Sequence, residues 1–161
     1  MQSDPLNNIL VIDEVPTIAL GLQETLRPLH HPIKLKYTDN LFTALSSPSY
    51  EGKKFDLLII GEQTGHPIAD WPQSAAELKS RFGPARIMLY TPNYDPILIE
   101  KMNETGIDAY VHKYEPVEEI RKAWSRLSAG ESYISAIFHT LYYEYNLRLD
   151  KMSPPENHPK S

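Results

Sequence analysis

Ile9-Leu10-Val11-Ile12-Asp13-Glu14-Val15-Pro16 is the stretch on which the fold turns. Four β-prone apolar residues without polar alternation suit a strand buried on both faces. Two acids stand where that strand ends. Pro16 stands where a helix would begin, a position proline prefers. Ile18, Leu22, Leu26 and Leu29 then step by four, four and three, the stripe of an amphipathic helix. A buried strand that passes through an acidic turn into a helix is the first half of a βα unit.

The rhythm recurs downstream. Ile33 to Tyr37 alternates apolar with basic, as a more exposed strand does, and Leu41, Ala44 and Leu45 give a short helix after a cap at Thr38 or Asp39. Leu57-Leu58-Ile59-Ile60 is a second buried run. A helix over Ala75 to Phe82 follows it, its start obscured by Pro67 and Pro72. Ile87-Met88-Leu89-Tyr90 leads to a helix over Ile97 to Thr105, closed by Gly106. Ala109-Tyr110-Val111 leads to the stripe Val117, Ile120, Trp124 and Leu127, entered by Pro116 and closed by Gly130. Five βα units predict an α/β protein, a (βα)5 doubly wound parallel sheet with right-handed crossovers. Ile134, Phe138, Leu141 and Tyr145, with Tyr142 and Tyr143 among them, predict one extra C-terminal helix. The division expected is 1–131 for the α/β unit, 132–150 for the helix and 151–161, with three prolines, for a linker or disordered tail.

Composition narrows the function. A chain of 161 residues leaves no room for two full domains. With 41% hydrophobic and 23% charged residues it is not a disordered chain. The absence of cysteine removes disulfides, zinc–thiolate sites and a Cys nucleophile. A net charge of −5 argues against non-specific nucleic-acid binding by this chain. No apolar run approaches the ~20 residues of a membrane helix, and the first five residues lack the basic flank and apolar core of a signal peptide. A cytoplasmic protein with no membrane partner is expected. The six His have no metal-ligand spacing.

In an open parallel sheet, function gathers at the carboxyl ends of the strands. The residues there are Asp13, Glu14, Gly61, Thr91 and Lys113. Acids that hold Mg2+, with a hydroxyl and an ammonium on phosphate oxygens, would suit a phosphoryl group. Each has a structural reading as well. The acids can cap the next helix, Lys113 can be their ion-pair partner, and Thr91 before Pro92 can be a turn residue.

These residues resemble the receiver domain of two-component response regulators over about residues 8 to 135. The first strand with its acidic pair, here Asp-Glu rather than Asp-Asp, is similar to that family's. Pro16 with Gly21-Leu22 is similar to the NarL-, FixJ- and LuxR-type subfamily, and so is the exit Leu127-Ser128-Ala129-Gly130-Glu131-Ser132-Tyr133-Ile134-Ser135. Phe55 to Ile60 resembles the third strand, and Gly106 to Lys113 the fifth-strand motif. The resemblance implies a flavodoxin-like strand order 2-1-3-4-5, with Lys113 as the family's lysine, Thr91 at its Ser/Thr position and Tyr110 as its switch aromatic. A module held in its signalling conformation would carry Tyr110 inward beside Thr91. The resemblance also implies a homodimer, with Trp124, Phe138 and Tyr142 as interface candidates. The tail helix either extends such an interface or packs on its own domain.

The departure from the family lies at Gly61, where it places the phosphate-accepting Asp. Glycine offers neither nucleophile nor metal ligand, so no acyl phosphate can form on that side chain. No cofactor is expected, and Mg2+ held by Asp13 and Glu14 alone would be weakly held. Glu62 is the nearest substitute acid, but strand alternation turns it to the other face unless a bulge re-aims it. The loop Gln63 to Pro67 reads as remodelled. The expectation is therefore a pseudo-receiver, a non-enzymatic, phosphorylation-independent dimerisation module of a transcription regulator. It would contact DNA only through a C-terminal domain beyond the Pro-rich tail, or stand alone as a receiver. The alternative is a Mg2+-dependent acceptor that uses Glu62. A third idea places a small ligand in the space vacated at Gly61.

Overall fold

The buried runs of the sequence become neighbouring strands in the order the topology dictates. A computed structural model describes residues 6–27 and 32–152. Strand β1 (Asn8–Ile12) lies between β2 (Lys34–Thr38) and β3 (Leu57–Ile60). Then come β4 (Arg86–Thr91) and β5 (Ala109–His112), every pairing parallel. The order 2-1-3-4-5 is the expected one. A two-residue strand β6 (Tyr133–Ile134) extends the sheet beyond β5, making six strands. Two residues carry no periodicity, so the pattern of the sequence does not reveal it.

Helices α1 (Pro16–Leu26) and α6 (Glu118–Ser128) cover one face. Ile9, Val11, Ile59, Met88 and Val111 point into that layer. The opposite face carries α2 (Leu41–Ser46), α3 (Trp71–Phe82), α4 (Pro96–Glu100) and α5 (Met102–Thr105). Leu10, Ile12, Leu58, Ile60, Ile87 and Leu89 point there. Successive strand residues serve opposite cores, which is why the runs show no polar alternation. Helix α7 (Ala136–Met152) packs on this second face beside β5 and α4. No helix among the described residues is long and apolar enough to cross a membrane.

Several boundaries differ from the expectation. Asn40, not Thr38 or Asp39, caps α2, its side-chain oxygen accepting from the Thr43 amide at 2.7 Å. Helix α3 starts at Trp71 rather than Ala75, because Pro72 sits in the first turn, where its missing N–H has no intrahelical acceptor. The stretch Ile97 to Thr105 is two short helices broken at Lys101. Gly106 closes it in the left-handed region at φ 78°, as expected. Val117 lies before α6 and is 46% exposed instead of joining the stripe. The extra helix begins at Ala136, since Tyr133 and Ile134 are spent on β6. Lys151 and Met152, expected in the tail over 151–161, close α7 instead, and Leu29 and the rest of that tail lie outside the described residues.

The outer strand β2 turns Lys34 and Lys36 to solvent. At the other end of β5, Asp108 accepts the Ile87 amide at 2.9 Å and pairs with Lys79 and Arg86, tying β4 to β5.

Candidate functional site

Asp13 and Lys113, each the first residue beyond its strand, meet at the carboxyl end of the sheet. Asp13 is fully buried and Lys113 is 8% exposed. Lys113 Nζ lies 2.9 Å from Asp13 Oδ2. The same oxygen accepts the Glu62 amide at 3.3 Å, and Asp13 Oδ1 accepts the Val15 amide at 2.8 Å. A buried ion pair needs such additional donors to offset its desolvation. Of the two structural roles open to Lys113 and Asp13, ion pairing holds, while Asp13 ties the turn before α1 rather than the helix itself.

Gly61 follows β3 directly. A Cβ added there would sit 1.6 Å from Asp13 Oδ2 and 2.5 Å from its Cγ. The carboxylate of Asp13 thus occupies the room a side chain at 61 would need, and the vacated position is not empty space. An open cleft of about 270 Å³ lies alongside, lined among others by Glu14, Gly61, Glu62, Thr64, His66 and Thr91.

Glu14 does not cap α1. Thr64 donates to it twice, from its hydroxyl at 2.6 Å and its amide at 2.9 Å. These bonds hold the exposed Glu14 carboxyl below its usual range. Gln63 accepts the Leu41 amide at 2.8 Å through its side-chain oxygen. The His66 ring stacks on Trp71 at 3.9 Å, its Nε2 2.8 Å from Ser74 Oγ. The loop after β3 is therefore stitched to two neighbouring loops by its own side chains. That this loop is remodelled is visible in the sequence, but Gln63, Thr64 and His66 as its fasteners are not, since single polar residues in a loop carry no periodic signal.

Glu62 corrects an expectation. It does not point away: its Oε1 lies 3.6 Å from Lys113 Nζ, with the side chain 43% exposed. Strand β3 ends at Ile60, so the chain has left the pleat and its alternation before reaching Glu62.

A Mg2+ ion would need oxygens that are free to coordinate it. Asp13 is committed to Lys113 and two amides, both Glu14 oxygens to Thr64, and Gly61 has no side chain. Among the described residues no three acids or histidines are grouped to hold a metal. This arrangement does not fit the ion.

Thr91 acts in a turn, its Oγ1 accepting the Asn93 amide at 3.1 Å. Tyr110 points inward, fully buried, and donates its hydroxyl to the Asn93 carbonyl. Burial pushes that hydroxyl's pKa up. Its ring meets Phe138 of α7 at 4.3 Å between centroids. Of the three interface candidates, Trp124 and Phe138 are buried in their own domain, and Tyr142 is half-buried against it. The Trp124 indole donates to the Leu6 carbonyl at 2.8 Å. An apolar residue on a helical stripe serves core and interface alike, and only the packing tells them apart.

Known structures share this architecture. The chain is similar to the isolated REC domain of RcsB from Salmonella enterica serovar Typhimurium, solved in the presence of phosphomimetic BeF3−, at TM-score 0.65 and 18% identity, over 86% of this chain and 99% of that one. It is similar to a two-component response regulator of the LuxR family from Aurantimonas sp. SI85-9A1, at TM-score 0.69 and 19% identity, over 86% and 96%. RcsB from the same Salmonella serovar, bound to a promoter, is similar at TM-score 0.67 and 18% identity, over 94% of this chain and 74% of that one. No family model matches the sequence, and no curated protein matches it. Identities this low speak for architecture alone: the chain has the doubly wound α/β fold of response-regulator receiver domains.

Proposed function

We propose that the chain is a receiver-type signalling module that works without an aspartyl phosphate and without Mg2+. Its work is protein–protein contact, dimerisation included, as the regulatory unit of a LuxR-type transcription regulator. In this reading residues up to about 131 form the receiver unit, α7 is an appended helix, and any DNA contact belongs to a separate domain. The single observation that carries the reading is the overlap at Gly61. The acceptor side chain is gone, and the Asp13 carboxylate stands in its room, locked to Lys113. The inward Tyr110 supports a conformation set by the chain itself rather than by a phosphate.

The second reading rests on Glu62, whose exposed carboxylate faces Lys113. It would serve as an unusual acceptor. Intact mass after a short incubation with Mg2+ and acetyl phosphate, beside an ordinary receiver that is modified in the same batch, separates the two. No adduct is the expected result. An adduct mapped to Glu62 would overturn the phosphate-independent reading.

A further inference from the structure

Helix α7 is fastened to the domain at two places, and one of them leads to the cleft. Its first amides have no partner within the helix. Two glutamates supply it: Glu119 Oε1 accepts the Ala136 amide at 2.9 Å, and Glu115 Oε1 the Ile137 amide at 3.2 Å. Glu119 also accepts the Tyr133 hydroxyl at 2.7 Å, so one carboxylate holds β6 and α7 together. In the same first turn, Phe138 is fully buried. It touches the rings of Tyr110 at 4.3 Å, His112 at 5.2 Å and Tyr94 at 6.1 Å. Among α7 residues only Phe138 is buried, and the helix grows more exposed toward Met152 at 77%.

The second fastening continues inward. Tyr110, held by Phe138, donates to the Asn93 carbonyl, and Asn93 donates its amide to Thr91. Thr91, Pro92 and Asn93 form one wall of the cleft beside Gly61. An unbroken series of contacts therefore runs from the cleft wall through Asn93, Tyr110 and Phe138 to α7. The joint is also imperfect. The buried Tyr94 hydroxyl, beside Phe138, has no hydrogen-bond partner among the described residues. A buried unsatisfied hydroxyl costs the docked state and favours release. A helix with one buried residue is the kind of element that opens locally.

We propose that α7 is a releasable latch whose docking is coupled to the conformation of the 91–93 cleft wall, through Phe138 and Tyr110. A partner that pulls α7 away loosens the wall, and anything that rearranges the wall loosens α7, because coupling between two sites is reciprocal. This holds whether or not Glu62 is ever phosphorylated, so its failure and that of the phosphate-independent reading are separate.

Hydrogen exchange on the whole chain tests it from both ends. Glu119→Ala removes the cap, at a residue that does not line the cleft. Tyr110→Phe removes only the hydroxyl at the wall. In each variant, exchange in the α7 peptides and in residues 91–96 is expected to rise together, roughly tenfold for the loss of one buried partner, with β1 and β3 unchanged. If either variant speeds exchange on its own side only, the coupling is refuted. An equal rise in β1 and β3 also counts against it, since that reports global unfolding. Should Glu119→Ala not fold, Tyr110→Phe alone decides by whether α7 responds.

Discussion

Gly61 lies against the Asp13 carboxylate, so enlarging it has a cost an ordinary strand-end glycine lacks. Gly61→Ala puts a methyl where Asp13 Oδ2 lies, forcing the carboxylate off Lys113. A loss of about 1–3 kcal/mol is expected from overpacking of this kind, read as a lower urea midpoint. Lys113→Met leaves Asp13 buried without its cation. A loss of about 3–5 kcal/mol follows from stranding a buried charge, and a variant as stable as the parent would refute the pairing as a structural bond. Thr64→Val removes one of the donors to Glu14. NMR titration of Glu14 should then move up toward the ordinary value of 4.5. Asp13 and Lys113 were legible from sequence because each directly follows a buried run. Thr64 and Gln63 were not, since only folded geometry brings a loop hydroxyl or amide to a particular partner.

Among the elements, α6 and α7 depend on one carboxylate. Burial opposes the charge on Glu119, but bonds from Tyr133, the Ala136 amide and Lys122 outweigh it and hold its pKa below the ordinary 4.5. A carboxyl depressed on folding stabilises the fold above its unfolded pKa, and that contribution is lost as pH falls through the folded value. The stability gap between the parent and Glu119→Gln should therefore be full near pH 7 and shrink steadily below 4.5; a gap constant across that window would sink the assignment. Helix α2 offers a simpler case: Asn40→Ala is expected to cost about 1 kcal/mol, the usual worth of an N-cap. The expected cap at Thr38 or Asp39 was off by one or two residues, because three consecutive residues, Thr38, Asp39 and Asn40, are all good capping types. The break at Lys101 left no mark in sequence either, as apolar spacing continues across it from Leu98 to Met102.

The molecule as a whole is one sheet between two apolar layers, and each layer holds one tryptophan. Trp71 packs on the α3 side and Trp124 on the α1–α6 side. Strand residues alternate between these layers, so neither can melt alone. Single-tryptophan variants Trp71→Phe and Trp124→Phe should each show fluorescence and far-UV circular dichroism transitions that coincide in urea. Separated transitions in either would mean the layers unfold independently. This architecture was readable because four-residue apolar runs and stripes of three and four are long-range patterns. The sixth strand and the docking of Phe138 on Tyr110 were not, resting on two residues in one case and a tertiary contact in the other. The exposed lysines of β2 bear on how the protein behaves in a crowded solution. A parallel edge strand is a template onto which other chains can stack, and here Lys34 and Lys36 stand on it, with Lys53 so close to Lys36 that it draws the Lys36 ammonium below its usual pKa. Colloidal stability is thereby placed under electrostatic control. Concentrated salt, or neutralisation of those amines by acetylation, should make the protein associate edge to edge.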